Sequence, residues 1–119
     1  MKKRELILFD FDGVIVDGMN EYWHSSLLAC KYYLNSKDIC SDINTNLKTS
    51  NVFISLRPWI KYGWEMVIIT HEIIKTNNPL TNKNKKSFLE DYQNNCAKII
   101  KKNSWDSKNL QKCLDRARE

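Results

Sequence analysis

Two aspartates, Asp10 and Asp12, are the residues whose type and spacing are best suited to chemistry in this sequence. They follow the apolar run 6–9 and stand directly before Gly13. Residues two apart in a strand point the same way, and open α/β sheets bind ligands at the carboxyl ends of their parallel strands. Two carboxylates in one crevice repel each other unless they share a proton or bind a cation, and Mg2+ prefers oxygen ligands. The pair therefore predicts a magnesium site, and the alternative is an acidic pair that only caps a turn.

The stretch from Leu6 to Gly18, LILFDFDGVIVDG, resembles the first signature motif of the haloacid dehalogenase-like (HAD) hydrolases. The resemblance implies that Asp10 is the nucleophile that forms an aspartyl-phosphate and that Asp12 is the general acid and base. It also implies that Mg2+ is bound by the carboxylate of Asp10 and the backbone carbonyl of Asp12. Because a departing alkoxide needs a proton, an acid at position 12 favours a phosphatase acting on a small phosphorylated metabolite over a dehalogenase.

The elements that must position these aspartates are a buried strand over 5–11 and a turn at Gly13. A second turn is expected at Asp17-Gly18, followed by a helix from Met19 to about Asn35. With the resemblance, this pattern predicts an α/β HAD-like (Rossmann-like) core fragment with a mainly α-helical cap. Residues 1–18 would form the first strand and catalytic loop of the core, and residues 19–119 the cap region, so that the chain itself is mostly helical.

The rest of the sequence predicts further helices separated by polar loops. Residues 35–51 are rich in turn-forming residues and indicate a loop. A helix is expected from Pro58 to Ile74, although 66–69 could instead be a strand that ends at Thr70 as the second HAD motif. A capping box at Ser87 predicts the start of another helix, and Asp106 is the expected N-cap of the last one.

Several parts of the HAD pattern are missing from the sequence, namely the lysine that neutralises the phosphoryl group and the later strand that ends in metal-binding acids. A single buried parallel strand would leave its backbone N–H and C=O groups unpaired. We therefore expect an N-terminal portion of a larger hydrolase, completed by a complementing C-terminal fragment and nearly inactive in isolation. The alternative is a non-catalytic helical interaction module or an inactive remnant of such a hydrolase.

Other side chains allow both a functional and a structural interpretation. His24 could contact a substrate or lie on a helix surface, and Arg57 could clamp an anion. His71 is interpreted as an ordinary helix residue, and no cysteine or histidine stands at zinc-ligand spacing from either histidine. Four tryptophans either line a pocket for a ring-bearing substrate or anchor helix packing: Trp23, Trp59, Trp64 and Trp105.

Composition narrows the functional class and the cellular setting. The net charge is +5, but the lysines are spread along the chain, which indicates a solvated surface rather than a nucleic-acid interface. The four cysteines are scattered and predict reduced thiols rather than a disulfide framework. Acids interrupt the N-terminal apolar run, and no run approaches the roughly 20 residues of a membrane span. We therefore expect a cytoplasmic protein without membrane or nucleic-acid partners.

Overall fold

Helices make up most of the chain that the structure, a computed structural model, describes: residues 14–34, 36–39 and 43–118, with side chains from residue 18 onward. The α-helices in these ranges are α1 (Val14–Leu28), α2 (Asn51–Ser55), α3 (Gly63–Ile74), α4 (Lys85–Glu90), α5 (Tyr92–Asn103) and α6 (Ser107–Ala117). A π-helical turn, Ala29–Tyr33, extends α1, and a 3-10 turn covers Arg57–Trp59. The described ranges contain no strand, so the mostly helical chain is confirmed there, while the predicted strand 5–11 lies outside them.

Helix α1 begins earlier than the sequence predicted. The turn expected at Asp17-Gly18 is wrong, because the backbone is already helical from Val14 and continues through residue 18. Glycine is tolerated inside a helix at a cost of about 1 kcal/mol relative to alanine. At Gly18 the nearest atom that an added Cβ would meet is 3.7 Å away, on the Tyr22 ring. The assignment of residues before 19 to a separate core stays a prediction.

The helix expected from Pro58 to Ile74 is confirmed only from Gly63 onward. Residues 57–59 form a 3-10 turn instead, and Tyr62 is extended before α3 starts. The Glu65 carboxylate accepts the Lys61 N–H at 2.8 Å, which fixes the start of the helix at this point. Because residues 66–69 are helical, the alternative strand leading to Thr70 is wrong.

The single helix that the sequence predicted after Ser87 is divided into two helices over residues 85–103. Helix α4 ends before Asp91, whose backbone leaves the helical conformation, and Ser87 lies within α4 rather than at an N-cap. The Asn95 side-chain amide donates to the Phe88 carbonyl at 2.8 Å and so satisfies a group that the break exposes. The expected N-cap of α6 is confirmed, because the Asp106 carboxylate accepts the Asn109 N–H at 2.7 Å.

Helix α3 is the central element of the core and packs against α1, α2, α5 and α6. Eight consecutive residues of this helix, from Glu65 to Glu72, are buried. The Cys30 thiol of the π-helical turn donates to the Val67 carbonyl at 3.7 Å, and the Trp23 and Phe53 rings lie 5.2 Å apart. Burying a large apolar side chain contributes roughly 1.5–3 kcal/mol, so the apolar side chains packed around α3 stabilise the fold.

Residues 43–50 form the irregular connection predicted from the polar composition, and they run along α1 in the opposite direction. Side chains of α1 and its π-helical extension hold this segment through hydrogen bonds. The four pairs are Asn20 with Thr49, Trp23 with Leu47, His24 with Thr45, and Lys31 with Ile43. The donor–acceptor distances lie between 2.6 Å and 3.1 Å, so the segment is fixed despite having no regular structure.

Candidate functional site

The predicted catalytic and metal-binding pair, Asp10 and Asp12, lies outside the described residues. Within the described part of the chain, no group of three or more histidine, cysteine, aspartate or glutamate side chains could hold a metal ion. The magnesium site at Asp10 and Asp12 therefore stays a prediction. Chemistry-bearing side chains do meet elsewhere, around the buried end of α3.

Three residues form a continuous hydrogen-bonded relay at that end: Ser36, His71 and Glu72. The Ser36 Oγ lies 2.7 Å from His71 Nε2, and His71 Nδ1 lies 2.9 Å from Glu72 Oε2. His71 is 1% exposed, whereas Ser36 is half-buried in the loop before residue 39. A hydroxyl, an imidazole and a carboxylate are thus aligned in that order.

The partners of the imidazole assign its proton. Because a carboxylate can only accept, His71 Nδ1 carries the hydrogen that is donated to Glu72. In the neutral ring Nε2 then accepts the Ser36 hydroxyl proton. This is the tautomer in which a histidine can take a proton from the serine.

A lysine fixes the carboxylate end of the relay. Lys75 Nζ donates to Glu72 Oε1 at 2.7 Å, so both carboxylate oxygens have partners. Burial acts to raise the pKa of Glu72, but the hydrogen bonds and charges of His71 and Lys75 outweigh it and hold that pKa below 4.5. The carboxylate is therefore ionised at neutral pH.

The serine end of the relay is fixed by the backbone. The Asp38 N–H donates to Ser36 Oγ at 3.1 Å, and the Asp38 carbonyl accepts the Thr76 N–H at 3.0 Å. These bonds attach the 36–39 segment to the end of α3. The Asp38 N–H also places a partial positive charge beside the serine oxygen, which favours negative charge there.

A cleft of about 450 Å3 lies beside the relay, between the π-helical turn and α6. One wall is a single face of α6, and the turn between α5 and α6 closes one end. The lining residues are Tyr33, Leu34, Asn103, Ser104, Trp105, Asn109, Lys112, Cys113 and Arg116. Trp105 connects the cleft to the relay, because its ring packs edge-on against His71 with centroids 5.0 Å apart. Clefts of this size hold small organic molecules in proteins.

The cleft is electrostatically positive. Its lining includes Lys112 and Arg116 but no carboxylate, and Arg116 lies over the Tyr33 ring at 4.6 Å. Burial raises the pKa of the Cys113 thiol even though Arg116 acts to lower it, so this cysteine is a poor nucleophile. The cleft would therefore bind a negatively charged molecule more tightly than a neutral one.

A second buried polar cluster joins α3 to α5 and is structural. Tyr92 donates its hydroxyl to Glu65 Oε1 at 3.0 Å, on the same oxygen that accepts the Lys61 N–H. Burial raises the pKa of Tyr92, and it raises the pKa of the neighbouring Cys96 to about 12. Both groups stay protonated at neutral pH, so neither Tyr92 nor Cys96 is ready to act as a base.

The remaining predicted residues separate into structural and undecided ones. His24 donates to the Thr45 carbonyl at 3.1 Å, which supports the structural interpretation. Trp23 is buried and bonded to Leu47, whereas Trp105 lines the cleft as the pocket interpretation expected. Arg57 lies in the 3-10 turn and is not part of the cleft lining.

Sequence reasoning identified His71 only as a helix residue and passed over Ser36 and Glu72. A signal was present for α3, because the titratable pair His71-Glu72 follows the apolar run 66–69 and must find partners when buried. No comparable signal marks Ser36, which is one of several polar residues in its loop.

Compared with protein-family models, curated proteins and solved structures, the chain matches none of them. None of the helices in the described ranges is both long and apolar enough to traverse a bilayer.

Proposed function

We propose that the chain carries the first catalytic motif of a HAD-like, magnesium-dependent phosphohydrolase that acts on a small phosphorylated metabolite in the cytoplasm. The observation that carries the proposal is the arrangement of Asp10 and Asp12 between an apolar run and Gly13 within residues 6–18. The helices that follow are compatible with a cap, and residues before 19 would belong to an α/β core completed by a complementing C-terminal fragment.

The two aspartates have different roles in this proposal. The Asp10 carboxylate attacks phosphorus, the bond from phosphorus to the alkoxide breaks, and an aspartyl-phosphate forms. Asp12 gives its proton to the leaving alkoxide and then takes one from the water that hydrolyses the acyl phosphate. Mg2+ bound by this pair would neutralise charge between the two anionic reactants.

Metal binding is the sharpest test, because it does not depend on turnover. We expect calorimetric titration with Mg2+ to show binding that is lost in Asp10→Asn but kept in Glu90→Gln, which removes an exposed carboxylate on α4. Hydrolysis of p-nitrophenyl phosphate, alone and with any complementing fragment, should show the same dependence on Asp10. Equal Mg2+ binding by wild type and Asp10→Asn would contradict the proposal.

The second candidate is a non-catalytic helical module or an inactive remnant. The observation in its favour is that, within the residues that the structure describes, α1 to α6 pack around a common apolar core. Under this alternative, Asp10→Asn changes neither metal binding nor hydrolysis, and Mg2+ leaves the thermal stability of the protein unchanged.

A further inference from the structure

The geometry points to a second reactive centre: we propose that Ser36 is a nucleophile toward small carboxylic esters that carry negative charge. His71 is the general base of this centre, and Glu72 is a positioning residue that acts through the imidazole. The proposal is independent of Asp10 and Asp12, because it uses only residues of the loop before residue 39 and of α3.

The relay has the geometry of an activated nucleophile. A serine is activated when a base lies within hydrogen-bond reach of its hydroxyl and a third group orients that base. The distances of 2.7 Å and 2.9 Å meet both conditions. The Lys75 contact with Glu72 and the Asp38 N–H on Ser36 Oγ hold both ends of the relay in place.

Burial of the imidazole strengthens its interaction with Glu72. The imidazole is buried and packs edge-on against the Trp105 ring, whereas Ser36 is half-buried. Charges on a buried relay are screened less than charges on a surface, so the imidazolium formed during the reaction is stabilised by the Glu72 carboxylate.

The positive cleft beside the relay indicates the class of substrate. Leu34, two residues before Ser36, and Trp105, in contact with His71, both line the positive cleft. Lys112 and Arg116 in that lining favour an ester whose acyl or leaving group is anionic. A short dicarboxylic acid monoester combines the required carbonyl with such a charge.

The reaction balances with water as the only co-reactant. Ser36 Oγ bonds to the ester carbonyl carbon while its proton passes to His71 Nε2. The carbon–oxygen bond to the alcohol then breaks, and His71 returns the proton to the departing oxygen. Water, deprotonated by the same nitrogen, attacks the acyl carbon. The bond from that carbon to Ser36 Oγ then breaks, His71 returns the proton to Oγ, and the acid is released.

A fluorophosphonate probe and peptide mapping on the wild-type chain provide the main test. The serine oxygen displaces fluoride from phosphorus, so the mass of the probe should be found on the peptide that contains Ser36. Ser36→Ala should abolish labelling. Ser55→Ala should leave labelling unchanged, because the Ser55 hydroxyl, although also half-buried, donates to the Val52 carbonyl rather than to an imidazole. Labelling spread over several exposed serines, or absent from Ser36, would overturn the proposal.

Variants of the base and of its partner separate catalysis from structure. We expect His71→Gln to reduce the labelling rate at least about 100-fold, and Glu72→Gln at least about 10-fold, at unchanged helical content. A purely structural relay would leave labelling unchanged in every variant that folds. If His71→Gln unfolds, Glu72→Gln and the wild-type mapping still decide the question.

A comparison of esters tests the substrate class. Release of p-nitrophenol from the monoester of succinic acid should be faster than release from p-nitrophenyl acetate. The preference should disappear in the double variant Lys112→Gln, Arg116→Gln, and Lys108→Gln, which removes an exposed charge of α6 outside the cleft lining, should alter neither rate. Equal rates for both esters with the wild-type chain would contradict the assignment of an anionic substrate.

Discussion

At the residue scale, the carboxylate of Glu72 makes the free energy of unfolding depend on pH. Its pKa lies below 4.5 in the folded chain, since bonds from His71 and Lys75 outweigh the opposing effect of burial. Because the pKa of Glu72 is lower in the folded chain, the native state binds fewer protons than the unfolded chain between the two pKa values. The free energy of unfolding therefore rises with pH in that range. The contribution is complete above about pH 4.5 and is lost as the pH falls through the lower folded value.

We therefore expect Glu72→Gln to flatten the acid limb of the stability curve. Urea denaturation between about pH 3 and pH 6 should show a smaller loss of stability for this variant than for the wild-type chain. Glu21→Gln, which removes an exposed carboxylate on α1, serves as the control and should keep the wild-type slope. An identical slope for wild type and Glu72→Gln would show that this carboxylate is not favoured by the fold.

At the scale of elements, the sequence predicted a helix boundary correctly where the N-cap residue decides it, and wrongly where a side chain further along the helix reaches back to the preceding segment. The N-cap Asp106 satisfies a backbone donor of its own helix, so residues 106–109 alone contain the information. The break at Asp91 depends on the Asn95 amide, and the late start of α3 depends on Glu65 reaching back to residue 61. The relay required a loop serine to meet α3, a contact between residues 35 positions apart that no local pattern contains.

The junction of α5 and α6 contains a position that should be improvable. Ser104 ends α5 in the left-handed conformation, with φ of 59°, and the following Trp105 N–H donates to the Ile100 carbonyl at 3.0 Å. A residue with a Cβ is strained in this conformation, whereas glycine is not. Ser104→Gly should therefore raise the free energy of unfolding by roughly 1 kcal/mol.

Chemical denaturation followed by circular dichroism would measure this gain. Ser107→Gly, at an exposed helical position three residues further on, is the matched control and should lower stability by about 1 kcal/mol or less. A loss of stability in Ser104→Gly would mean that its hydroxyl contributes more than the backbone strain costs.

For the whole molecule, α6 is the element that joins distant parts of the chain. It packs against α1, the π-helical turn and α3, and Leu110 is completely buried among them. Gly63 permits the close approach of α3, because a Cβ there would lie 3.3 Å from Leu114 Cδ2. Loss of packing at α6 should therefore affect the whole cooperative unit rather than one helix.

The corresponding prediction compares two leucines. Leu110→Ala should lower the free energy of unfolding by about 2–5 kcal/mol, because it leaves a cavity in the core. Leu47→Ala, where the side chain is 44% exposed, should change it by about 0.5 kcal/mol or less. Thermal denaturation of both variants, monitored at two wavelengths, would test this comparison. A loss of stability that Leu110→Ala shows at only one wavelength would contradict unfolding as a single cooperative unit.

The irregular segment over 43–50 has a consequence for enzymatic cleavage. A protease must draw several residues of extended backbone into its own groove, and exposed irregular segments are the usual sites of nicking. Here the chain would first have to be peeled off α1, breaking the bonds at Ile43, Thr45, Leu47 and Thr49 one after another. The rate of digestion at the exposed Lys48 would thus report how often this segment detaches from α1, rather than how accessible Lys48 is in the folded protein.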